Sequence, residues 1–467
     1  MSAREENLRT LMSATGISED EATKRLSVKV LISYDVNGFQ EQLARELAEL
    51  LSRTVTVTQT VSGCDIEVCL GAKRQTAAAN CILVEISEDS LVVTRMRDVA
   101  VRQHARNSGA IHGLLRKIAA CYITGQTIAV ALSGAKAEGT DFDELPDVFR
   151  LEFSDFGVSN AELSQEIPLH DATLIGGGGV GNGFLWAASE LKLVGTLAVV
   201  DPKRVSPGNV NRCLYFGDAD VGKNKAELLA ERVELDKCVL EPFAGSFGEY
   251  LKTRPGNKAN TVIITVDSRP ARRAIQNEMP AVVLDASTTD ISEVVVHSHS
   301  VPTELACLSC IYSHDKVEDQ QAKHLAEKLG LDLAEVREPL ITVSIAEKLC
   351  RNFKLEDAKA LVGTALDTFY KARCGEGALL TSTGKQAAAP FAFISNLAGA
   401  LLALELVRFQ SNHASPSREN YFFSNPWMAP HRRLRRSRPR LVGCEFCGNR
   451  YADAALRATW PERYGAS

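Results

Sequence analysis

The chain has 467 residues, 45% of them hydrophobic and 24% charged, so it can bury two or three domain cores at roughly 150 residues each and is not a disordered chain. A net charge of −5 argues against a general nucleic-acid binder, whose affinity rests on a surplus of basic groups facing phosphates. Twelve cysteines in a chain this long are not a disulfide scaffold, and the start MSAREENLRT has no apolar core behind a basic head, so reduced thiols in the cytoplasm are expected.

Residues 1–26 read as short helices forming an extension, with Ser18 and Glu21 spaced as a capping box. Residues 27–135 read as a smaller α/β domain. VKVLISYDV is its first strand, FQEQLARELAELL an amphipathic helix, and TVTVTQTV, CDIEVCLG, CILVEIS and LVVTRM are further strands. A helix over Val99–Tyr122 and a last strand, TIAVALSG, complete it. The first strand-to-helix turn, DVNGFQ, has Gly38 alone and so lacks the amides of a phosphate loop. The expectation is an inactive Rossmann-like domain without nucleotide, or an unrelated α/β docking domain. Residues 136–160, acidic and polar, read as a linker.

The next stretch, DATLIGGGGVGNGFLWAASELKLVGTLAVVDPKRVSPGNVNR, reads as strand, glycine turn, helix, strand and polar loop. Gly176, Gly178 and Gly181 have the G-x-G-x-x-G spacing that brings backbone amides to a phosphate, and Asp201 follows about 20 residues on, where an acid holds a ribose. A helix from Lys225 to Leu235, the strand TVIITVD ending at Asp267, and strands at Ala281–Ala286 and Glu293–His297 continue the alternation. It predicts a doubly wound parallel sheet over residues 161–312 and 374–460, with its ligand beyond the carboxyl ends of the strands. Residues 313–373, rich in Lys and Glu, read as a helical insertion. Ala387–Val407 is apolar enough to invite a membrane reading, but Pro390, Ser395, Asn396 and Glu405 break it; a buried helix capped near Ser395 or Asn396 accounts for it better. A strand at Tyr421–Ser424 follows, and the arginine-rich run His431–Arg440 reads as a solvated strand bordering an acceptor groove.

Cys307-Leu-Ser-Cys310 and Cys444-Glu-Phe-Cys447 are the most specific metal signal, because two C-x-x-C turns present the four thiolates of a closed tetrahedral zinc site. Such a site is structural, since four sulfurs leave no open position. The other cysteines are accounted for as small buried apolar residues, among them Cys350 in a helix pattern. The glycine fingerprint alone fits a nicotinamide-dependent oxidoreductase equally well. Asn209, Arg212 and Lys225 argue otherwise, because expulsion of pyrophosphate needs cations on the transferring phosphoryl group and hydride transfer does not. Asp267 at a buried strand end is then a natural Mg²⁺ ligand.

Together GGGGVG, the strand end at Asp201, NVNR, VGKNK, VDSRPAR and the paired C-x-x-C motifs resemble the adenylation domain of ubiquitin-activating enzymes and of the thiamine- and molybdopterin-synthesis adenylyltransferases, the ThiF/MoeB type. The resemblance covers about Phe156–Cys447 apart from the insertion, and the family pattern G-x-G-G-x-G is met by Gly176, Gly178, Gly179 and Gly181. It implies an enzyme that uses Mg·ATP to adenylate the C-terminal glycine of a ubiquitin-like protein. Asp201 would hold the ribose, Asn209, Arg212 and Lys225 the phosphates, Asp267 Mg²⁺, and Cys307, Cys310, Cys444 and Cys447 zinc. Many relatives then capture the acyl group on a cysteine before the late helix; Cys374 in KARCGEGALLTSTGK, beside Lys371 and Arg373, is the candidate, and a conjugating enzyme would receive the acyl group. Relatives also carry an arginine motif ahead of the first strand. Ala161–Asp171 contains none, so that arginine would come from distant Arg150, the N-terminal domain or a second protomer.

Two such domains in one chain are similar to activating enzymes of bacterial ubiquitination-like operons. Adenylation of a sulfur carrier or a small peptide is the alternative, and an inactive scaffold is disfavoured by the intact glycines and Asp267.

Overall fold

Polar caps start the chain's local structure. In the computed structural model, which describes residues 2–35, 37–71, 74–97, 111–314, 316–338, 341–359, 361–362, 366, 369–370, 389–411 and 419–464, Ser2 and Glu5 form a full capping box at the head of helix Ala3–Thr15. The second helix, Glu19–Leu26, begins where the sequence predicts, with the Ser18 side chain accepting from the Glu21 amide.

The first sheet contains β1 (Lys29–Tyr34), β2 (Thr56–Thr58), β3 (Ile66–Leu70), β4 (Asn80–Ile86) and β5 (Ser90–Arg97). The segment TIAVALSG is not a strand. Helix Gly113–Ala131 runs through it, and Thr127 and Ile128 are buried in the core. Tertiary burial here overrides the β preference of the branched residues. After the small hairpin β6 (Lys136–Ala137) and β7 (Thr140–Asp141), β8 (Val148–Glu152) pairs antiparallel with β5. Its inward Phe149 and Leu151 are buried, so the segment read as a linker supplies the sheet's edge. The order is β2-β1-β3-β4-β5-β8, parallel through β4.

The second sheet contains β9 (Glu166–Ile175), β10 (Lys192–Val200), β11 (Lys237–Phe243), β12 (Thr261–Ile264), β13 (Val282–Thr289), β14 (Glu293–Ser300), β15 (Tyr421–Ser424) and β16 (Arg435–Arg436). Its order is β11-β10-β9-β12-β13-β14-β15-β16, parallel from β11 to β13 and antiparallel beyond. Both sheets follow one plan. The first strand lies inside and the second goes to one side, where β11 follows it in the second sheet only; the next two strands, β3 and β4 or β12 and β13, go to the other side. An antiparallel hairpin strand, a long helix and a further antiparallel strand complete the plan, the last being β8 in one sheet and β15 in the other.

The two long helices, Gly113–Ala131 and Ala392–Ser411, pack on each other in a core common to both sheets. A Cβ at Gly125 would stand 2.8 Å from the Phe393 ring, so glycine permits the approach. Polar ties join the first of these helices to the two sheets' other helices: Arg116 bonds Glu46 of helix Gly38–Ser52 and Glu190, which follows helix Gly179–Ala188, at 3.0 Å each, and Lys117 donates to the Trp186 carbonyl at 2.5 Å.

Ser395 and Asn396 do not cap the late helix; they lie within its first turns, where Asn396 Nδ2 donates to the Ala392 carbonyl at 2.7 Å. The stretch long and apolar enough to cross a membrane, Ala392–Gln410, is 94% buried. Its Glu405 is satisfied by Arg408 at 3.0 Å, Arg435 at 2.8 Å and Ser298 at 2.7 Å. The arginine run is therefore only partly solvated: β16 forms, but Arg435 is buried against Glu405 and Arg438 stacks on Tyr421, 4.7 Å from its ring centre. Within the insertion, helices Lys316–Leu329, Leu333–Arg337 and Val343–Phe353 surround a small core of their own that includes Leu329, Ile345 and Leu349. Cys350 is half-buried on the last of these.

Candidate functional site

β9 ends at Ile175, and Gly176 turns the chain at φ 103°, a left-handed value that disfavours any side chain. Gly178 then starts helix Gly179–Ala188 without a side-chain cap, so the first amides are left for a ligand. The turn is tight: a Cβ at Gly181 would lie 2.1 Å from the Gly176 carbonyl oxygen.

Three of the other predicted nucleotide-site residues, Asp201, Arg212 and Lys225, converge on this turn. A Cβ at Gly177 would meet Lys225 Cβ at 3.2 Å and Asp201 Oδ2 at 3.4 Å, and one at Gly179 would meet Arg212 Cδ at 3.1 Å. Asp201 follows β10 directly; its Oδ2 accepts from the Gly177 amide at 2.6 Å and its Oδ1 from the Lys203 amide at 2.7 Å. Asn224 Nδ2 donates to the Asp201 carbonyl at 3.0 Å and its Oδ1 caps helix Lys225–Arg232, which sets Lys225 at the helix start. Asn209 closes the short turn Pro207–Asn209, its Oδ1 accepting from the Ser206 amide at 3.0 Å. Arg212 donates to the Gly208 carbonyl and to Asn211 Oδ1, both at 2.8 Å. Neither Arg212 nor the largely buried Lys225 pairs with a carboxylate among the described residues. The site is therefore an anion-attracting corner built from capless helix amides and two cations.

Asp267 lies past the end of β12 on the neighbouring strand end, and its carboxylate is held by Lys203 Nζ at 3.0 and 3.2 Å. Lys203 was not singled out from the sequence; its place two residues after Asp201 is the signal that would have found it. Arg53 was missed with no local signal. It comes from the first domain and donates to the carbonyls of Val210 at 2.7 Å, Leu214 at 2.8 Å and Phe216 at 3.0 Å, clamping the loop that carries Arg212. The N-terminal helix packs on the same loop: Asn211 donates to Asn7 at 3.0 Å, and a Cβ at Gly208 would meet Glu6 at 3.5 Å. Arg150 lies on β8 of the first sheet, exposed and paired with Glu152 at 3.0 Å. Cys374 lies outside the described residues.

The second candidate centre joins the two C-x-x-C turns. Cys307 Sγ is 3.7 Å from both Cys310 and Cys444, Cys310 is 3.3 Å from Cys447, and all four sulfurs lie within 4.8 Å of one another. Tetrahedral zinc at about 2.3 Å from each sulfur has sulfur–sulfur edges of about 3.8 Å, so the donor set fits such an ion. Bonds from the Cys307 thiol and the Leu441 amide lower the Cys310 thiol against the effect of burial, while the bond to Cys310 raises Cys307 and burial raises Cys447.

Residues 153–446 match the ThiF family, and residues 1–159 match the E1 N-terminal domain. An uncharacterised protein of Sinorhizobium fredii, y4jF, is 25% identical over 420 residues, 85% of this chain and 79% of its own. Among solved structures, Escherichia coli MccB with ATP is 16% identical over 79% of this chain and 98% of that one, with a TM-score of 0.37. The E. coli tRNA N6-threonylcarbamoyladenosine dehydratase TcdA is 16% identical over 53% of this chain and 87% of its own, with a TM-score of 0.27. With the match to residues 153–446 covering more than half of its length, this chain belongs to the ThiF family of adenylyltransferases.

Proposed function

We propose that this chain activates a ubiquitin-like protein: it uses Mg·ATP to adenylate the C-terminal glycine, captures the acyl group on Cys374, and passes it to a conjugating enzyme. The observation that carries this reading is the meeting of the uncapped glycine turn with Arg212 and Lys225, neither paired with a carboxylate among the described residues. The match of residues 1–159 to the E1 N-terminal domain supports a ubiquitin-like substrate over a small sulfur carrier or a peptide.

In this reading the amides at Gly178, Gly179 and Gly181 receive phosphate oxygens, Gly176, whose own amide donates to the Val200 carbonyl at 2.9 Å, makes the turn that brings them there, Asp201 receives the ribose hydroxyls, and Asn209, Arg212 and Lys225 the phosphates. The substrate carboxylate attacks the α-phosphorus, the bond to the bridging oxygen breaks, and pyrophosphate leaves while the cations neutralise its growing charge. Mg²⁺ held by Asp267 would add further neutralisation on the phosphates. The Cys374 thiolate then attacks the acyl carbonyl and AMP leaves, giving a thioester.

Arg9 is our candidate for the arginine missing ahead of the first strand. It sits three residues after Glu6, on the helix face that meets Gly208. The matching plans of the two sheets support an adenylation domain over 161–312 and 374–460 with its inactive counterpart, 27–135 extended by β8, in the same chain. The four cysteines are read as a structural zinc site, stable in a reducing cytoplasm, that ties the chain's end to its middle.

The test is ATP–pyrophosphate exchange with ubiquitin-like proteins ending in glycine, and with short peptides as a control, on wild type, Asp267→Ala and Cys374→Ala. Exchange lost in the first variant and kept in the second, with the reducible thioester absent, is expected. Exchange stimulated by the short peptides but by no ubiquitin-like protein would overturn the substrate class, and tight NAD binding without ATP use would overturn the adenylation itself.

A further inference from the structure

Below the nucleotide corner, a buried polar chain runs from the four-cysteine centre to the strand end that carries Asp267. It starts at the short helix Leu308–Ile311, which contains Cys310 and follows Cys307. Tyr312 ends that helix, its amide donating to the Leu308 carbonyl at 2.8 Å. The Tyr312 hydroxyl donates to Asp285 Oδ2 at 2.7 Å and lies 2.9 Å from Ser287 Oγ. Asp285, on β13, forms an ion pair with Arg272, whose guanidinium also lies over the Tyr312 ring, 4.8 Å from its centre.

Arg272 in turn donates to the Ala286 carbonyl at 3.0 Å and to the carbonyl of Val266, the residue before Asp267. The ladder of β12 ends at Ile264, so without Arg272 the Val266 carbonyl would lie beyond the reach of sheet pairing. Asp285 is 0% exposed and Arg272 3%, so neither charge is held for surface solubility. A buried pair of this kind is costly to desolvate and adds little net stability compared with apolar packing; what it supplies is a fixed geometry. A second tie runs alongside: Gln276 Oε1 accepts from the Leu308 amide at 3.1 Å, and Arg273 donates to the Tyr312 carbonyl at 2.8 Å.

We propose that Tyr312, Asp285 and Arg272 are positioning residues for adenylation, transmitting the fixed placement of the four-cysteine helix to the Val266–Asp267 strand end. The four-cysteine centre then does more than tie the chain's end to its middle: it sets the geometry in which Asp267 meets the metal–nucleotide complex. This rests on the reading of Asp267 as the Mg²⁺ ligand.

The test uses the full chain and needs no acyl substrate. Binding of a non-hydrolysable ATP analogue is followed by calorimetry across a Mg²⁺ titration, and AMP binding is measured without Mg²⁺, for wild type, Tyr312→Phe and Arg272→Lys. AMP reports the Asp201 side of the site, whereas the Mg²⁺ midpoint reports Asp267. Tyr312→Phe removes one buried hydroxyl at constant shape, and loss of its bond is expected to raise the Mg²⁺ midpoint about tenfold with AMP affinity kept within about twofold. Arg272→Lys, which keeps the charge but loses the fork, is expected to act in the same direction, and it decides the matter if Tyr312→Phe fails to fold. An unchanged Mg²⁺ midpoint, or a parallel loss of AMP binding, overturns the positioning role. A wild-type chain that binds no nucleotide overturns the adenylation reading itself and this inference with it.

Discussion

Lys203 Nζ lies 3.0 Å from Asp267 Oδ1 and 3.2 Å from Oδ2, bridging the loop after β10 and the loop after β12 across the carboxyl end of the sheet. The Asp267 side chain is 77% exposed and that of Lys203 31%, so solvent screens the pair and its contribution is about 1 kcal/mol or less. A divalent cation can therefore displace the ammonium at small cost. Lys203→Met is expected to lower the Mg²⁺ concentration for half-maximal binding of an ATP analogue, by about threefold given a pair of that strength. A midpoint that stays put or rises would show that Lys203 does not compete for Asp267.

Two glycines in the turn separate folding from ligand approach. Gly181→Ala places a methyl 2.1 Å from the Gly176 carbonyl oxygen and is expected to destabilise the chain by about 2 kcal/mol or more in urea unfolding. A methyl at Gly178 would meet nothing within 4 Å, and φ there is −77°, so Gly178→Ala should cost only tenths of a kcal/mol as a poorer helix cap. In the adenylation reading the methyl would instead stand where a phosphate approaches. Weakened ATP-analogue binding with near-normal urea unfolding is the expected result, and unimpaired binding would remove the turn from the nucleotide site.

Arg53 tests the clamp between the domains. It satisfies the carbonyls of Val210, Leu214 and Phe216 with one guanidinium, a fork that lysine cannot reproduce. Arg53→Ala and Arg53→Lys are both expected to lower nucleotide affinity about tenfold, because the loop bearing Asn209 and Arg212 loses its anchor. Restoration by lysine would show that charge alone matters there.

Glu405 predicts a pH dependence. Burial alone would raise its carboxyl above the ordinary 4.5, but Arg435 and Arg408 outweigh burial and hold it at about 2. A carboxyl depressed in the folded state stabilises the fold above its unfolded value, and the contribution is lost as pH falls from about 4.5 towards 2. At pH 7 Glu405→Gln is expected to cost about 3 kcal/mol, since it removes the buried carboxylate that both guanidinium groups face and leaves them only the more distant charge of Glu419. Urea unfolding of both proteins between neutral pH and pH 3 should show the gap narrowing with acidification; a constant gap would mean that packing, and not charge, is what the substitution removes.

What could be read from residues alone was local. The glycine spacing marks a tight turn at a strand end, and the C-x-x-C pairs announce four sulfurs, because backbone chemistry and ligand spacing operate within a few residues. The alternation of apolar strands and amphipathic helices likewise carries the two-sheet architecture. TIAVALSG reads as a strand because its branched residues favour one, until the long-range packing of Gly113–Ala131 on Ala392–Ser411 buries them in a helix. The arginine run reads as solvated for a related reason, since only the fold brings Arg435 to Glu405. Lys203 at Asp267, Arg53 on the loop that bears Arg212, and the path from Tyr312 through Asp285 and Arg272 join segments far apart in sequence. No period or spacing records such pairs; they exist only once the sheets have set the strand ends side by side.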